Sequence, residues 1–580
     1  MQSEEVQFVH FNDVVSFASL IQLIYFSMLH IDMRDTFLHL QQSFATSNPK
    51  APTLTIFSGD AFSPSLEASV LQGEQACPLL DLVKVDIGCY GNHDFDFGET
   101  RLIELSRLSR FPWLLSNAVH LGAGAQGERR LLASAQEYIV RQLENGLRVG
   151  FIGLAGSDWP SQCEGLPPCE IESPVDVARR LARHLRVNEH CDLVIALTHL
   201  RIPEDMAVAN ATATGESRID LLLGGHDHDV VRRFAGDTDL IAENVEHGRP
   251  IAEVEAGGMV PDTEGNIRLI KSGTDWRGLS LIQLIVQTDE KGTIVGSTVK
   301  LRQYTDIQAD ITTPPPPSPD VIETIQAIHD RVGTLVQKPL LHSAIPLDGR
   351  NTTLRSQETN MGNMLADTIR AFYDTDIGFF NSGATRADQV VKSTIPDGKA
   401  LLVRDIINIC PFGNALLVKQ LPGSIIQLAL ENAVSDSHTD GRFLQISGMK
   451  FVASWQRPEG SRVIEILIQE PNGSYEPLDP LRTYTVAMPS FIAQGYDGFS
   501  WFSKAKTIVG EEAALSDTNL MLNIFGHGGE GLAHDGEVED SPHVLGIERA
   551  RKAIVVEHHP VDSFPIVKPV VEGRIRFVGA

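Results

Sequence analysis

The chain is 580 residues long and carries 48 Lys and Arg against 75 Asp and Glu, a formal charge of −27 at neutral pH. One hydrophobic core stops growing at roughly 250–300 residues, so this length requires two lobes. An apolar fraction of 42 % with 21 % charged residues excludes wholesale disorder, and the acidic balance excludes a nucleic-acid polymer as the main partner, because no counterion-releasing basic surface is on offer.

Met1 to Glu5 is acidic and lacks a basic stretch followed by an apolar core, so the expected setting is cytoplasmic. Six scattered cysteines contain no CxxC pair and predict neither a zinc ribbon nor a disulfide framework. Val6 to His10 alternates and runs into Asn12-Asp13, the pattern of a strand ending in a polar loop. Val14 to Ile31 contains no Asp, Glu, Lys or Arg, close to the shortest length that crosses a bilayer. A span of that length, about 27 Å at the helical rise, would part Asp13 from the next carboxylate motif near residue 60. A buried helix is therefore expected here, and no membrane partner.

Thr53 to Phe57 reads as a strand ending in Ser58-Gly59-Asp60, and Val83 to Ile87 as one ending in Gly91-Asn92-His93-Asp94. Leu147 to Leu154 is a further short apolar run. Asp192 to Leu197 ends in Thr198-His199, and Ile219 to Leu223 in Gly225-His226-Asp227-His228. Helical patterns lie between, as at Pro174 to Val187. Polar ligands beyond the carboxyl ends of strands are what an α/β layered fold offers. Strands at Gly278 to Gln287 and Thr293 to Leu301 close this half. Consecutive prolines from Pro314 to Pro317 predict a stiff extended spacer, Val321 to Val336 a linking helix, and residues 341 to 510 a second α/β lobe. Gly526 to Pro542 is rich in Gly, His and acids and reads as a mobile loop. The histidines of the tail, His527, His534, His543, His558 and His559, lack ligand spacing and read as solvated or packed.

Asp13, Asp60, Asn92, His93, Asp96, His199, His226 and His228 form the informative set. Carboxylate, imidazole and amide oxygen together suit Mn, Fe, Zn or Co better than an all-oxygen calcium cage. A pair of metals about 3.5–4 Å apart needs a bridge, and a carboxylate has two oxygens to give; Asp60, between the other motifs, is the natural one. Each motif alone is weak, since Gly-Asp and Asn-His pairs are common turn formers. Their joint order, each after a strand-like run, is the signal.

The series Asn12-Asp13, Ser58-Gly59-Asp60, Gly91-Asn92-His93-Asp94-Phe95-Asp96, Thr198-His199 and Gly225-His226-Asp227-His228 resembles the calcineurin-like metallophosphoesterases. Gly91 to Gly98 and Ser272-Gly273-Thr274-Asp275 look like the 5′-nucleotidase branch. The resemblance runs from about residue 6 to 505. It implies a four-layer β-sandwich flanked by helices in residues 1–310, a Pro-rich linker and helix in 311–340, an α/β nucleotide-binding domain in 341–525, and a partly mobile extension in 526–580. It also implies two divalent metals, one on Asp13, Asp60 and His228, the other on Asp60, Asn92, His199 and His226. His93 would stand beside the phosphoryl group, oriented by Asp96. Metals that acidify a water and neutralise phosphoryl oxygens fit that set, as does an imidazolium near the ester oxygen. One position departs from the family: Val15 stands where Asp-x-His usually supplies a ligand, so the first metal has one protein ligand fewer.

In the second lobe, Asn381-Ser382-Gly383-Ala384-Thr385-Arg386, Pro411-Phe412-Gly413-Asn414 and Gly495-Tyr496-Asp497-Gly498-Phe499 look like the family's substrate-binding turns. There two aromatics sandwich the base, and the matching positions are Phe412 and Phe499, both expected to expose a ring. Stacking suits any base. Arg386, and less directly Arg355, suit phosphate or ribose oxygens; Asn381 and Asp497 suit ribose hydroxyls or a base edge. Asn360 and Gly362 are expected to start a helix. The expected activity is hydrolysis of nucleoside 5′-monophosphates at a site between the lobes, served by a hinge near 310–340. A nucleotide-sugar or cyclic-nucleotide phosphohydrolase on the same scaffold is the alternative within chemistry. A non-catalytic nucleotide binder with a degraded first metal site is the alternative that Val15 supports.

Overall fold

A computed structural model describes residues 2–14, 27–63, 66–121, 129–163, 165–234, 236–237, 260–261, 267–289, 294–307, 315, 318–387, 389–395, 399–435, 441–526 and 542–579. Val15, most of the apolar stretch after Asp13, most of the proline run and His527 and His534 lie outside the described residues. Contacts divide the described residues into two compact units, one ending at Asp330 and the other beginning at Arg331.

The first unit is built on two large sheets, with a small two-stranded one at Ala118–His120 and Cys169–Ile171. One is ordered Val260–Pro261, Ile294–Tyr304, Leu279–Thr288, Gln2–Phe11, Thr53–Ser58, Ile87–Cys89, Trp113–Leu114; the other Val230–Phe234, Ile267–Ser272, Leu221–Gly224, Leu193–His199, Arg148–Ala155, Tyr138–Gln142. They pack face to face. Val6, Phe8 and Ile56 of the first meet Phe151, Ile195, Leu197 and Leu223 of the second in one buried cluster. Along Leu193–His199 every residue is buried, and alternation assigns the faces: Ile195 and Leu197 enter the sandwich, while Val194 and Ala196 meet Val177, Leu181 and Leu185 of the helix Pro174–Val187. A parallel strand covered on both faces reads as one apolar run, which is why these segments were conspicuous in the sequence. On the other side, Phe37 of the helix Ser27–Ser47 packs edge-on against Phe11 at 5.0 Å. The layering is helix, sheet, sheet, helix.

Register aligns the turns that matter. Gln2–Phe11 runs parallel to Thr53–Ser58 with Phe11 opposite Phe57, and Ser58 lies opposite Cys89. The turns after these three strands, carrying Asp13, Asp60 and Asn92, therefore leave the sheet at one edge. In the other sheet Ala155 lies opposite His199, and Thr198 opposite Gly224, which aligns the turns bearing Asp158, His199 and His226. The strand expected over Val83 to Ile87 is shorter and later, at Ile87–Cys89. Val83 instead caps a helix, and Lys84 has φ 53.

The second unit is built on a sheet ordered Leu444–Ser447, Ile377–Asn381, Thr483–Pro489, Leu416–Pro422, Lys506–Val509. The helix Asn360–Tyr373 beside it starts at Asn360, as expected, and is capped by Thr359, whose hydroxyl accepts from Gly362 N at 2.9 Å; the Asn360 amide donates to Pro346 O. The tail from Pro542 is part of this unit. Pro565–Val567 runs parallel to Pro339–Ser343, and Ile575–Phe577 to Met449–Ala453. Among the described residues no helix is long and apolar enough to cross a membrane.

Candidate metal centre

Asp13, Asp60, Asn92, His199 and His226 are all buried, and ligand atoms of Asp13, Asp60 and His199 lie within 4.8 Å of one another. His199 shows what the centre demands. Its Nδ1 donates to the Ser58 carbonyl at 2.9 Å, which fixes that nitrogen as the N–H. Its Nε2 then faces oxygens only: Asp60 Oδ2 and Asn92 Oδ1 at 3.1 Å, and Asp13 Oδ1 at 4.0 Å. A lone pair among acceptors is tolerable only with a proton or a cation between them. Burial disfavours the proton, yet the Asp60 carboxylate, helped by Asp13, holds the imidazole up at about 9.

The second imidazole carries the same mark. His226 Nε2 lies 3.0 Å from Asp158 Oδ2, its Nδ1 is buried with no hydrogen-bond partner, and its ring centroid is 4.9 Å from that of His199. Burial pushes the His226 imidazole down, which keeps a lone pair available. Asp60 Oδ2 likewise accepts no hydrogen bond. His228 is at the rim, 35 % exposed, with Nε2 3.4 Å from Asp13 Oδ1. Burial favours protonation of Asp13, but the contact with His228 and the charge of neighbouring imidazoles hold the carboxyl below its ordinary range. The donors are carboxylate, amide and imidazole, buried and facing one another, and they fit a divalent transition metal.

Backbone strain is concentrated here. Asp13, Asp60, His226 and His228 all have positive φ, between 52° and 78°, a conformation that persists only when its surroundings over-determine it. Asp94 determines Asp60: its buried carboxylate accepts from the backbone N–H groups of Asp60, Ala61, Phe62 and Gly91 at 2.7–3.2 Å. Burial and the Asp60 charge push Asp94 up to about 7. Gly91 has no Cβ because one would strike the Asp60 carboxylate, and a Cβ on Gly225 would strike Ser58 O and Asp13. Asp13 is held through Asn12, which accepts from Ser272 N at 2.9 Å and donates to Gly273 O at 2.6 Å. Thr274 Oγ1 and Asp275 N each donate to Asp13 O at 2.8 Å.

His93 adjoins this cluster. Its backbone N donates to Asp60 Oδ1 at 2.9 Å, and its Nδ1 lies 2.9 Å from Asp96 Oδ2. The structure also brings in residues that the sequence reading passed over. Asp158 sits between His226 and Arg201, 3.2 Å from Arg201 Nε; burial is outweighed by these two partners, which hold its carboxyl down at about 2. Lys271 is fully buried and donates to Leu200 O at 2.6 Å and Gly225 O at 2.7 Å, the carbonyls next to His199 and His226; it also pairs with Asp205 at 2.7 Å and with Asp227.

In the second unit, Arg386 covers the half-exposed ring of Phe412 at 4.6 Å. Burial, and then the charge of nearby Arg355, lower the Arg386 guanidinium. Asn381 is buried beside Gly383, whose carbonyl accepts from Arg386, and Asp497 lies by Gly441, which meets Gly383 backbone to backbone. Phe499 corrects the expectation of an exposed clamp. It is fully buried in the unit's core, stacked on Phe502 at 5.2 Å. The exposed ring of that turn is Tyr496, stacked on Phe491 at 5.0 Å.

Residues 6–230 match the family model for calcineurin-like phosphoesterases, and residues 332–504 that for the 5′-nucleotidase C-terminal domain. The chain is 23 % identical to the 5′-nucleotidase of Homo sapiens over 547 residues, 90 % of this chain and 82 % of that one. It is 24 % identical over 502 residues to the snake venom 5′-nucleotidase of Crotalus adamanteus, 82 % of this chain and 77 % of that one. With the trifunctional nucleotide phosphoesterase protein YfkN of Bacillus subtilis (strain 168) it shares 24 % identity over 499 residues, 80 % of this chain but 31 % of that longer protein. The solved structure of Haemophilus influenzae NAD nucleotidase (NadN) has the same fold, with a TM-score of 0.64 at 14 % identity over 100 % of this chain and 99 % of that one.

Proposed function

We propose that this chain, which belongs to the 5′-nucleotidase family of phosphoester hydrolases, hydrolyses nucleoside 5′-monophosphates to nucleoside and phosphate with two divalent metal ions. The observation that carries the reading is the His199 environment: a ring nitrogen surrounded by Asp60, Asn92 and Asp13 oxygens, a gap that only a proton or a cation can fill. Asp60, Asn92, His199 and His226 would hold one ion, the last through its unpartnered Nδ1; Asp13, Asp60 and His228 would hold the other. Such ions activate water and neutralise phosphoryl oxygens.

The chain's own groups do the rest. Asp96 holds His93 by Nδ1, and the ring would donate toward an ester oxygen and stabilise charge as it develops there. Asp94 fixes the Asp60 turn, and Asp158 fixes the His226 ring, the outer-shell contacts that keep ligands aimed. Arg386 and Phe412 would recognise the nucleotide, the guanidinium its phosphate or ribose oxygens and the ring face its base.

Release of phosphate from adenosine monophosphate with added Mn or Co, measured for wild type, Asp60→Asn and His93→Ala, tests this. The two variants are expected to lose at least 100-fold in turnover, in line with removal of a metal bridge or a proton donor. Equal turnover in all three overturns the reading.

A further inference from the structure

Far along the chain from the centre described above, the second unit gathers two imidazoles and a carboxylate. His342, on the strand Pro339–Ser343, is fully buried, with Nε2 3.0 Å from Asp562 Oδ2. His559 Nδ1 lies 2.9 Å from the other carboxylate oxygen, Oδ1, and the two rings are 4.2 Å apart, tilted by 35°. All three prospective ligand atoms lie within 4.8 Å of one another.

His559 and Asp562 sit in the turn between the strands Val555–His558 and Pro565–Val567, and backbone contacts set that turn. His559 N donates to Phe564 O at 2.8 Å, Ser563 N donates to His559 O at 2.9 Å, and Ser563 takes φ 62. Phe564 N donates to Asp562 Oδ1 at 3.2 Å. The hairpin's second strand runs beside Pro339–Ser343 with Ile566 opposite His342. Two segments from distant parts of the chain thus present ligands to one point from rigid supports.

The far side of His342 completes the pattern. Its Nδ1 is 3.0 Å from Thr394 Oγ1, a hydroxyl that accepts from Ser343 N at 2.9 Å and reaches Ser343 O at 3.4 Å. When Nδ1–H donates to Thr394 and the hydroxyl in turn donates to Ser343 O, Nε2 offers its lone pair beside Asp562 and His559. Metal-bound histidines are held in this way, the other ring N–H fixed on an acceptor. In the opposite tautomer Nε2–H donates to Asp562, and the same groups form only a hydrogen-bonded staple.

We propose that His342, His559 and Asp562 bind one divalent ion of the zinc and cobalt class, a metal clasp that fastens the C-terminal hairpin to the strand Pro339–Ser343. Two imidazoles and a carboxylate are a donor set for such ions, with water as the fourth ligand. Asp562 is exposed and His559 partly so, which leaves an entry path.

The test uses the full chain in an Asp60→Asn background, so that a failure of the phosphatase reading does not bear on it. Protein stripped with chelator is dialysed against Zn²⁺ or Co²⁺ and compared with the same chain carrying His559→Ala or Asp562→Asn. Each variant is expected to hold one ion fewer by elemental analysis, to lose the visible band of four-coordinate Co²⁺, and to lose the zinc-dependent rise in melting temperature. His559→Ala alone, on the otherwise wild-type chain at saturating Mn, is expected to leave phosphate release unchanged. An unaltered ion count in His559→Ala, with the same zinc-dependent melting shift, overturns the proposal and leaves the staple.

Discussion

Replacing Lys271 with methionine keeps the apolar stem and removes the charge that ties the two histidine-bearing turns together. Lys271 Nζ donates to three acceptors, the carbonyls of Leu200 and Gly225 and the Asp227 carboxylate, and also pairs with the Asp205 carboxylate. Removing one partner of a buried ion pair costs about 3–5 kcal/mol, because the remaining charge stays buried and uncompensated. The loss here belongs at the lower end. Asp227 keeps Arg201 at 3.7 Å, and Asp205, already pushed up to about 6 by burial, can take up a proton. About 3 kcal/mol corresponds to a fall of roughly 4 °C in melting temperature for a unit of this size. The freed carbonyls adjoin His199 and His226, so metal affinity is expected to drop about 10–100-fold, as for other losses behind metal ligands. Calorimetric melting and a competitive metal titration measure the two effects. A second change, Asp205→Asn, is expected to recover part of the stability by removing the stranded charge. Lys271→Met protein that melts with wild type and binds metal within twofold of it refutes the reasoning.

His10 makes the first unit acid-sensitive. It is buried between Ser272 Oγ at 2.7 Å and Ser58 Oγ at 2.9 Å, and burial pushes its imidazole from 6.5 down to about 3. Between those values only the unfolded chain takes up the proton, so the His10 contribution to stability is expected to climb as pH rises from about 3 to 6.5 and to level off above. His10→Gln is expected to flatten that slope in melting experiments; a variant with the wild-type slope counts against it. For the second unit, Phe412→Ala is expected to raise KM for a nucleoside monophosphate by roughly 5–200-fold with kcat little changed, the range that 1–3 kcal/mol of base stacking provides. Phe499→Ala is expected to cost about 3–5 kcal/mol of stability instead, as for a buried ring. A KM effect of Phe499→Ala without loss of stability reverses the two assignments.

What could be read from the sequence and what could not differ for a physical reason. Asp13, Asp60, Asn92, His199 and His226 each follow a run of apolar residues that is covered on both faces, and a polar residue at the end of such a run stands out. Their supports do not stand out. Lys271 lies inside the strand Ile267–Ser272, where alternation assigns a lysine to solvent, and only the fold reveals that Asp205 and Asp227 await it. Asp94 was visible within its motif but carried no role there, because its four N–H donors come from two separate turns. Asp158 lies past the end of Arg148–Ala155 with no motif around it, and its partner His226 belongs to another strand.

The aromatic pair and the tail show the same limit from the other side. Phe412 and Phe499 stand in similar turns, and sequence treats them alike. Yet Gly498 takes φ 86 and the turn is tied by Asn432 donating to Asp497 O at 2.9 Å, which directs the Phe499 ring into the core against Phe502. His559 has Asp562 three residues on, but no second imidazole at ligand spacing, because its partner His342 comes from the opening strand of the unit and is brought alongside only by parallel pairing. Ligand spacing along a chain detects sites built within one turn or helix. It is blind to sites whose members meet across a sheet, and both the Lys271 tie and the His342 cluster are of that kind.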